Sequence, residues 1–133
     1  MTLSYGKELN DLTEKIIGCA YTVGNSLGAG FLEKVYENAL IYELKSEGLK
    51  VEQQKPIRIY YRDVLVGEYL TDLLIEDRLL VELKAVQEME GAFYAQCLNY
   101  LKATGLEVCL LINFGKPEVQ IRRVSAKMEW LKK

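Results

Sequence analysis

The stretch Tyr69-Leu70-Thr71-Asp72-Leu73-Leu74-Ile75-Glu76-Asp77-Arg78-Leu79-Leu80-Val81-Glu82-Leu83-Lys84 decides the fold. Leu73-Leu74-Ile75 and Leu79-Leu80-Val81 are apolar at consecutive positions, which marks strands covered on both faces of a sheet. Glu76-Asp77-Arg78 links them as a hairpin. Side chains alternate along a strand, so Glu82 and Lys84 share a face. Whether Asp72 joins them depends on register. A two-residue turn at Glu76-Asp77 pairs Asp72 with Val81 and sends Glu82 to the other face. The sequence lacks the Asn-Gly or Asp-Gly that such a turn prefers. A three-residue loop instead pairs Asp72 with Glu82, Leu74 with Leu80 and Ile75 with Leu79. It asks for a left-handed residue, which Asp77 tolerates better than most. The expectation is an odd-length loop or a compensating bulge. Asp72, Glu82 and Lys84 then line one face, and Leu73, Val81 and Leu83 pack on the other.

Working outward, a first strand runs from Val51 to Tyr61, bent or interrupted near Pro56. A tight turn at Arg62-Asp63 leads into the second strand, Val64 to Ile75, and the third covers Leu79 to Val86. Two helices precede them. Leu9, Leu12, Ile16, Cys19/Ala20 and Val23 recur at helical spacing and predict a helix from Lys7 to Ser26. After Gly28-Ala29-Gly30, a second helix spans about Leu32 to Glu47, with Leu32, Val35, Tyr36, Ala39, Leu40 and Leu44 as its buried stripe. Gly48 stands where a helix-ending glycine belongs. Downstream lie a helix from Met89 to Thr104 that ends at Gly105, a buried strand Val108 to Ile112, a turn at Gly115-Lys116-Pro117 and a strand Val119 to Val124. The tail, Ala126 to Lys133, reads as a short helix anchored by Trp130. The order is α-α-β-β-β-α-β-β, a mixed α/β domain over residues 1–133, with no repeat, linker or low-complexity tract.

Composition narrows the chemistry. The chain has 133 residues, 50% hydrophobic and 27% charged, with a net charge of −2. A protein that coats nucleic acid through phosphate contacts is usually basic overall, so that class is disfavoured. Carboxylates gathered around a cation are compatible with the charge, because the ion supplies local positive potential. Cys19, Cys97 and Cys109 are odd in number and lack Cys-x-x-Cys spacing, which argues against a disulfide framework or zinc site and for reduced thiols in the cytoplasm. The absence of histidine removes histidine-based triads and metal sites. The first residues lack a signal-peptide layout, and no apolar run reaches membrane-spanning length.

Asp72, Glu82 and Lys84 are three charges on adjacent strands expected to be central. Buried carboxylates are costly unless paired or coordinated to a metal. One reading is a buried ion-pair network in which Lys84 neutralises Asp72 and Glu82. The other is a site for a hard cation with a lysine beside it. Mg²⁺ prefers oxygen ligands and is often held by one or two carboxylates together with substrate phosphate. In a chain without histidine, such an ion is a direct route to an activated water.

Asp72, nine intervening residues and Glu82-Leu83-Lys84 resemble the D…(D/E)-x-K signature of PD-(D/E)XK nucleases. The α-β-β-β-α-β order from Leu32 to Asn113 matches the restriction-endonuclease-like core of that superfamily, with the signature on the corresponding strands. Gln96-Cys97-Leu98-Asn99-Tyr100 is similar to the Q-x-x-x-Y motif of its RecB-like branch. Gly30-Phe31-Leu32-Glu33-Lys34-Val35-Tyr36 spells the name motif of the GxxExxY family within it. The phrases Val81 to Val86, Leu98 to Lys102 and Leu111-Ile112-Asn113-Phe114-Gly115 are also similar to that family. The likeness covers about Leu27 to Arg123.

The resemblance implies roles residue by residue. Asp72 and Glu82 ligate Mg²⁺ or Mn²⁺, with the Leu83 carbonyl and Glu33 as further ligands. Lys84 is the catalytic lysine. Gln96 and Tyr100, one helical turn apart, face the site together. Glu37, one turn after Glu33, reads as an ordinary exposed helix charge. The chain departs from the family at Phe93, where members often carry a histidine. The implied activity is hydrolysis of phosphodiesters in nucleic acid, DNA ahead of RNA. A catalytically silent module that binds nucleic acid or a protein partner on the same fold is the alternative, and a homodimer stays open. Lys34, Lys55, Arg58, Lys102, Arg122 and Arg123 are the cations that could meet phosphates, but they are scattered along the chain and read by default as solvated surface charges.

Overall fold

The computed structural model describes residues 6–126, so the expected tail helix and Trp130 lie outside the described residues. The elements are α1 (Lys7–Leu27), α2 (Glu33–Ser46), β1 (Val51–Tyr61), β2 (Val64–Ile75), β3 (Leu79–Lys84), α3 (Gly91–Thr104), β4 (Val108–Asn113) and β5 (Gln120–Ser125). The sheet order is β1-β2-β3-β4-β5. Only the β3–β4 pair is parallel, and α3 forms the crossover between them. The expected order and the mixed α/β core are thus the ones found.

Two cores sandwich the sheet. On one face Leu73, Ile75, Leu79, Val81 and Leu83 join Val108, Leu110 and Ile112 under α1 and α2. On the other, Leu74, Leu80, Cys109 and Leu111 meet Cys97, Tyr100 and Leu101 of α3. The double coverage accounts for the unbroken apolar runs in β3 and β4. Gly105, left-handed at φ 75°, ends α3 by donating its N–H to Leu101 O at 2.8 Å.

The hairpin register is the one that Asp72 and Glu82 require. Leu73 pairs with Val81, Leu74 with Leu80 and Ile75 with Leu79. The loop is Glu76-Asp77-Arg78, closed by Arg78 N–H on Ile75 O at 3.0 Å. Asp77 is left-handed as expected, and so is Glu76, which the sequence does not signal.

Two expectations need correction. Leu32 and Val35 do not belong to the buried stripe of α2. They are exposed, and the helix buries Tyr36, Glu37, Leu40 and Leu44. Leu32 is the N-cap, so its side chain stands beyond the first turn where helical periodicity no longer aims it at the core. The irregularities in β1 fall at Gln54 and, as a shift of register, between Ile59 and Tyr60, rather than at Pro56. Gln54 has φ 53° and breaks the β1–β2 ladder between Gln53↔Leu73 and Lys55↔Thr71. Pro56 pairs with Leu70 inside the strand, which an edge position permits.

The break changes the phase of the hairpin. Before it, Leu73 faces α1 and α2 while Leu74 faces α3. Beyond it, Ile57 and its partner Tyr69 are the ones on the α3 side. The distal hairpin is thus turned relative to the buried half of β2, and Asp72 sits at the hinge.

Candidate functional site

Regular pairing between β2 and β3 stops at Leu73↔Val81, and carboxylates take over where peptide groups would continue. Leu83 N–H donates to Asp72 Oδ2 at 2.8 Å. Glu82 Oε1 accepts from Asp72 N–H at 3.0 Å and from the Thr71 hydroxyl at 2.7 Å. Each acid is thereby fixed by the backbone of the opposite strand. Glu82 is 4% exposed and Asp72 is half-buried. The other Glu82 oxygen, Oε2, takes no hydrogen bond from a described residue.

Electrostatics follow from this packing. Burial first, and the charge of Asp72 second, push Glu82 up to about 7. Asp72 is also raised, by burial first and by the nearby Glu37 charge, while the Leu83 N–H works in the opposite direction. Glu33 is raised by burial and then by Asp72, with Lys84 opposing. Burial leads for all three acids and a neighbouring carboxylate adds to it, a setting that a bound cation would relieve.

Lys84 does not act as the buried counter-ion. Among the described residues it makes no ion pair within 4.0 Å of Asp72 or Glu82. Its ammonium stands 4.5 Å from the centroid of the Phe93 ring. The position where the resemblance leads one to expect histidine thus carries an aromatic face that holds the lysine by cation–π attraction. The strand end behind Lys84 is clamped by the buried Asn113. Its side chain accepts from Val86 N–H at 2.9 Å and donates to Val86 O at 2.9 Å. Phe114 N–H binds Lys84 O at 2.8 Å. The phrase Leu111 to Gly115 is distinctive in the sequence, but its clamping role appears only in three dimensions.

The helices approach from both sides. Glu33 opens α2 near Asp72 and Lys84. On α3, Tyr100 is 3% exposed, and its hydroxyl is raised by burial and then by Glu82 and Asp72. Gln96 is half-buried one turn earlier and forms no hydrogen bond with a described residue.

Glu37 overturns its reading as a surface charge. It is 2% exposed and bonded to Lys34 at 3.0 Å, to the Gln53 amide, and to the Gln54 amide at 3.2 Å. It ties α2 to the left-handed residue opposite Asp72. A glutamate on a predicted helix carries no sequence mark of such a role.

Among the described residues no group of three or more histidine, cysteine or carboxylate side chains is gathered closely enough to hold a metal ion alone. The donor set nevertheless suits Mg²⁺ or Mn²⁺. Two carboxylates share the gap, and such ions commonly take one or two carboxylates and complete their shell with water and substrate phosphate.

The sequence profile of the PD-(D/E)XK nuclease superfamily matches residues 10–124, and the chain belongs to that superfamily. Its members generally use divalent metals. The crystal structure of an alkaline exonuclease from Laribacter hongkongensis matches with a TM-score of 0.52 at 11% identity, over 98% of this chain and 75% of that one. At that identity the likeness concerns the fold alone. No curated protein matches the sequence. Among the described residues no helix is long and apolar enough to cross a membrane.

Proposed function

We propose that this chain is a metal-dependent nuclease of the GxxExxY type that hydrolyses phosphodiesters in DNA, ahead of RNA. One observation carries the reading. Asp72 and Glu82 share a gap in the sheet, each pinned by a peptide N–H of the other strand, with Lys84 alongside and not paired to either. In a purely structural ion-pair network the lysine would close on the acids.

Asp72, Glu82, the Leu83 carbonyl and Glu33 are the groups to hold Mg²⁺ or Mn²⁺. Such an ion supplies Lewis acidity, making a water more acidic and offsetting phosphate charge. Lys84, steadied by Phe93, presents a cation to the phosphate oxygens as negative charge builds there. Thr71 and the Asp72 N–H keep Glu82 aimed into the gap. Tyr100 walls the gap on the α3 side, and Gln96 stands one turn away to contact substrate. Reduced cysteines suit a cytoplasmic setting.

The test is cleavage of labelled single- and double-stranded DNA and RNA with Mg²⁺, with Mn²⁺ and with chelator. The reading expects turnover that needs the ion and is lost in Asp72→Asn and Glu82→Gln. Folded protein that cleaves nothing under any of these conditions would favour the catalytically silent binding module.

A further inference from the structure

Outside the gap, an open cleft lies between the distal β1–β2 hairpin and the outer half of α3. It encloses about 660 Å³ and is lined by Arg58, Tyr60, Tyr69, Asn99 and Lys102, among others. The phase change at Gln54 creates it, because that turn brings Tyr69 to the α3 side. Asn99 and Lys102 lie three apart on α3 and so share a helix face. Two of the scattered cations, Arg58 and Lys102, thereby meet in one cleft.

The cleft joins the gap through two tilted rings in contact. Tyr69 contacts Tyr100 at 5.7 Å between centroids, and Tyr100 feels the charges of Glu82 and Asp72. Tyr60 is 60% exposed and Tyr69 50%, so both rings keep surface open to a ligand. Arg58 is held by Glu68 at 3.1 Å, whereas Lys102 has no ion pair among the described residues.

We infer that this cleft binds a single-stranded segment of nucleic acid, its bases stacked on Tyr60 and Tyr69 and a phosphate on Lys102, and feeds it to the Asp72–Glu82 gap. Rings open to solvent suit unpaired bases, which offer a stacking face that a duplex conceals. The volume is that of a small-molecule pocket and takes bases of one strand. With a net charge of −2, phosphate contacts are offset by the chain's own carboxylates, and stacking on the open rings supplies much of the affinity.

The inference rests on the nuclease reading for its function, and binding is measured separately from cleavage. The experiment follows fluorescence anisotropy of a short labelled oligothymidylate, and of a duplex of equal length, with the full chain in chelator. The single strand should bind more tightly than the duplex. Tyr60→Ala and Tyr69→Ala should each weaken it about 5- to 150-fold, which is the stacking contribution of one base converted at 1.4 kcal/mol per tenfold. Tyr60→Phe and Tyr69→Phe should bind like the parent. Lys102→Ala should lower the slope of log affinity against log salt by about 0.7. If Tyr69→Ala does not fold, Tyr60→Ala and Lys102→Ala carry the test at exposed positions. Parent-like binding in the alanine variants, or tighter binding of the duplex, overturns the inference. If Mn²⁺-dependent cleavage persists alongside that result, the nuclease reading stands without the cleft. Binding that depends on the tyrosines with no cleavage at all supports the cleft and defeats the nuclease.

Discussion

The two halves of β2 are one strand by hydrogen bonding and two by environment. Leu73, Leu74 and Ile75 are buried between helices on both sides, whereas Val64, Leu65, Val66, Tyr69 and Leu70 stand in an exposed hairpin. Asp72 occupies the junction. A continuous ladder would use every peptide group on its neighbours and leave none for an acid. At the junction the ladder fails on both sides of β2, at Gln54 and beyond Leu73↔Val81, so side chains and peptide groups can bind each other there. The difference teaches where a sheet can hold charge: at the limit of its regular pairing, next to a dry core that fixes the geometry.

The sharpest way to break the comparison is to cut the same side chain from each half. Leu73→Ala should cost about 2–5 kcal/mol in urea unfolding, since its side chain is wholly enclosed. Leu70→Ala, half-exposed, should change stability by less than about 0.5 kcal/mol. Equal losses would mean that the distal hairpin is covered in solution.

At the junction, Lys84→Ala should lower cleavage by about 10²–10³, the usual loss for one positioned electrostatic group. Its unfolding midpoint should stay near the parent's, because Lys84 neutralises neither acid at close range. A loss of about 3–5 kcal/mol would instead indicate a buried ion pair.

Glu37→Gln tests how α2 holds the break. Removing a charged acceptor from Lys34, Gln53 and Gln54 should destabilise by about 1–3 kcal/mol. It should also weaken metal-dependent activity, as Gln54 loses the partner that holds it opposite Asp72. Intact activity at full metal affinity would separate Glu37 from the site.

The last effect concerns the pH dependence of the metal-free protein. Glu82, raised to about 7 from 4.5, keeps its proton when folded at pH values where the unfolded chain has released it. The folded state thus binds more protons between about 4.5 and 7, and stability in chelator should fall as pH rises through that window. Thermal melts at the two ends check this. A rise in stability over the same interval would mean that the acids are already neutralised by protein cations.

Much of this was legible in the chain. The apolar runs on either side of Glu76-Asp77-Arg78 set the register, and the register brought Asp72 to Glu82. The phase change was not legible, because glutamine is no habitual left-handed residue and Pro56 drew attention two positions away. Glu37 was not legible either. Helical spacing marks apolar residues as buried, and its burial depends on glutamine amides from another element. Lys84 on the Phe93 ring spans the loop between two elements, and Arg58 and Lys102 line one cleft from elements distant in sequence, neither of which periodicity can reach.

Pro56 has a bearing on colloidal behaviour. β1 is an edge of the sheet, and the hairpin it forms with β2 leaves Tyr60, Tyr61, Val64, Leu65 and Val66 exposed. Such an edge is a template for strand addition by another chain and hence for aggregation. A proline there removes one donor from the edge, and Lys55 and Arg58 on either side, paired with Glu52 and Glu68, keep the edge charged and hydrated. The hairpin can thus keep its apolar surface exposed while its edge discourages self-association into fibrils.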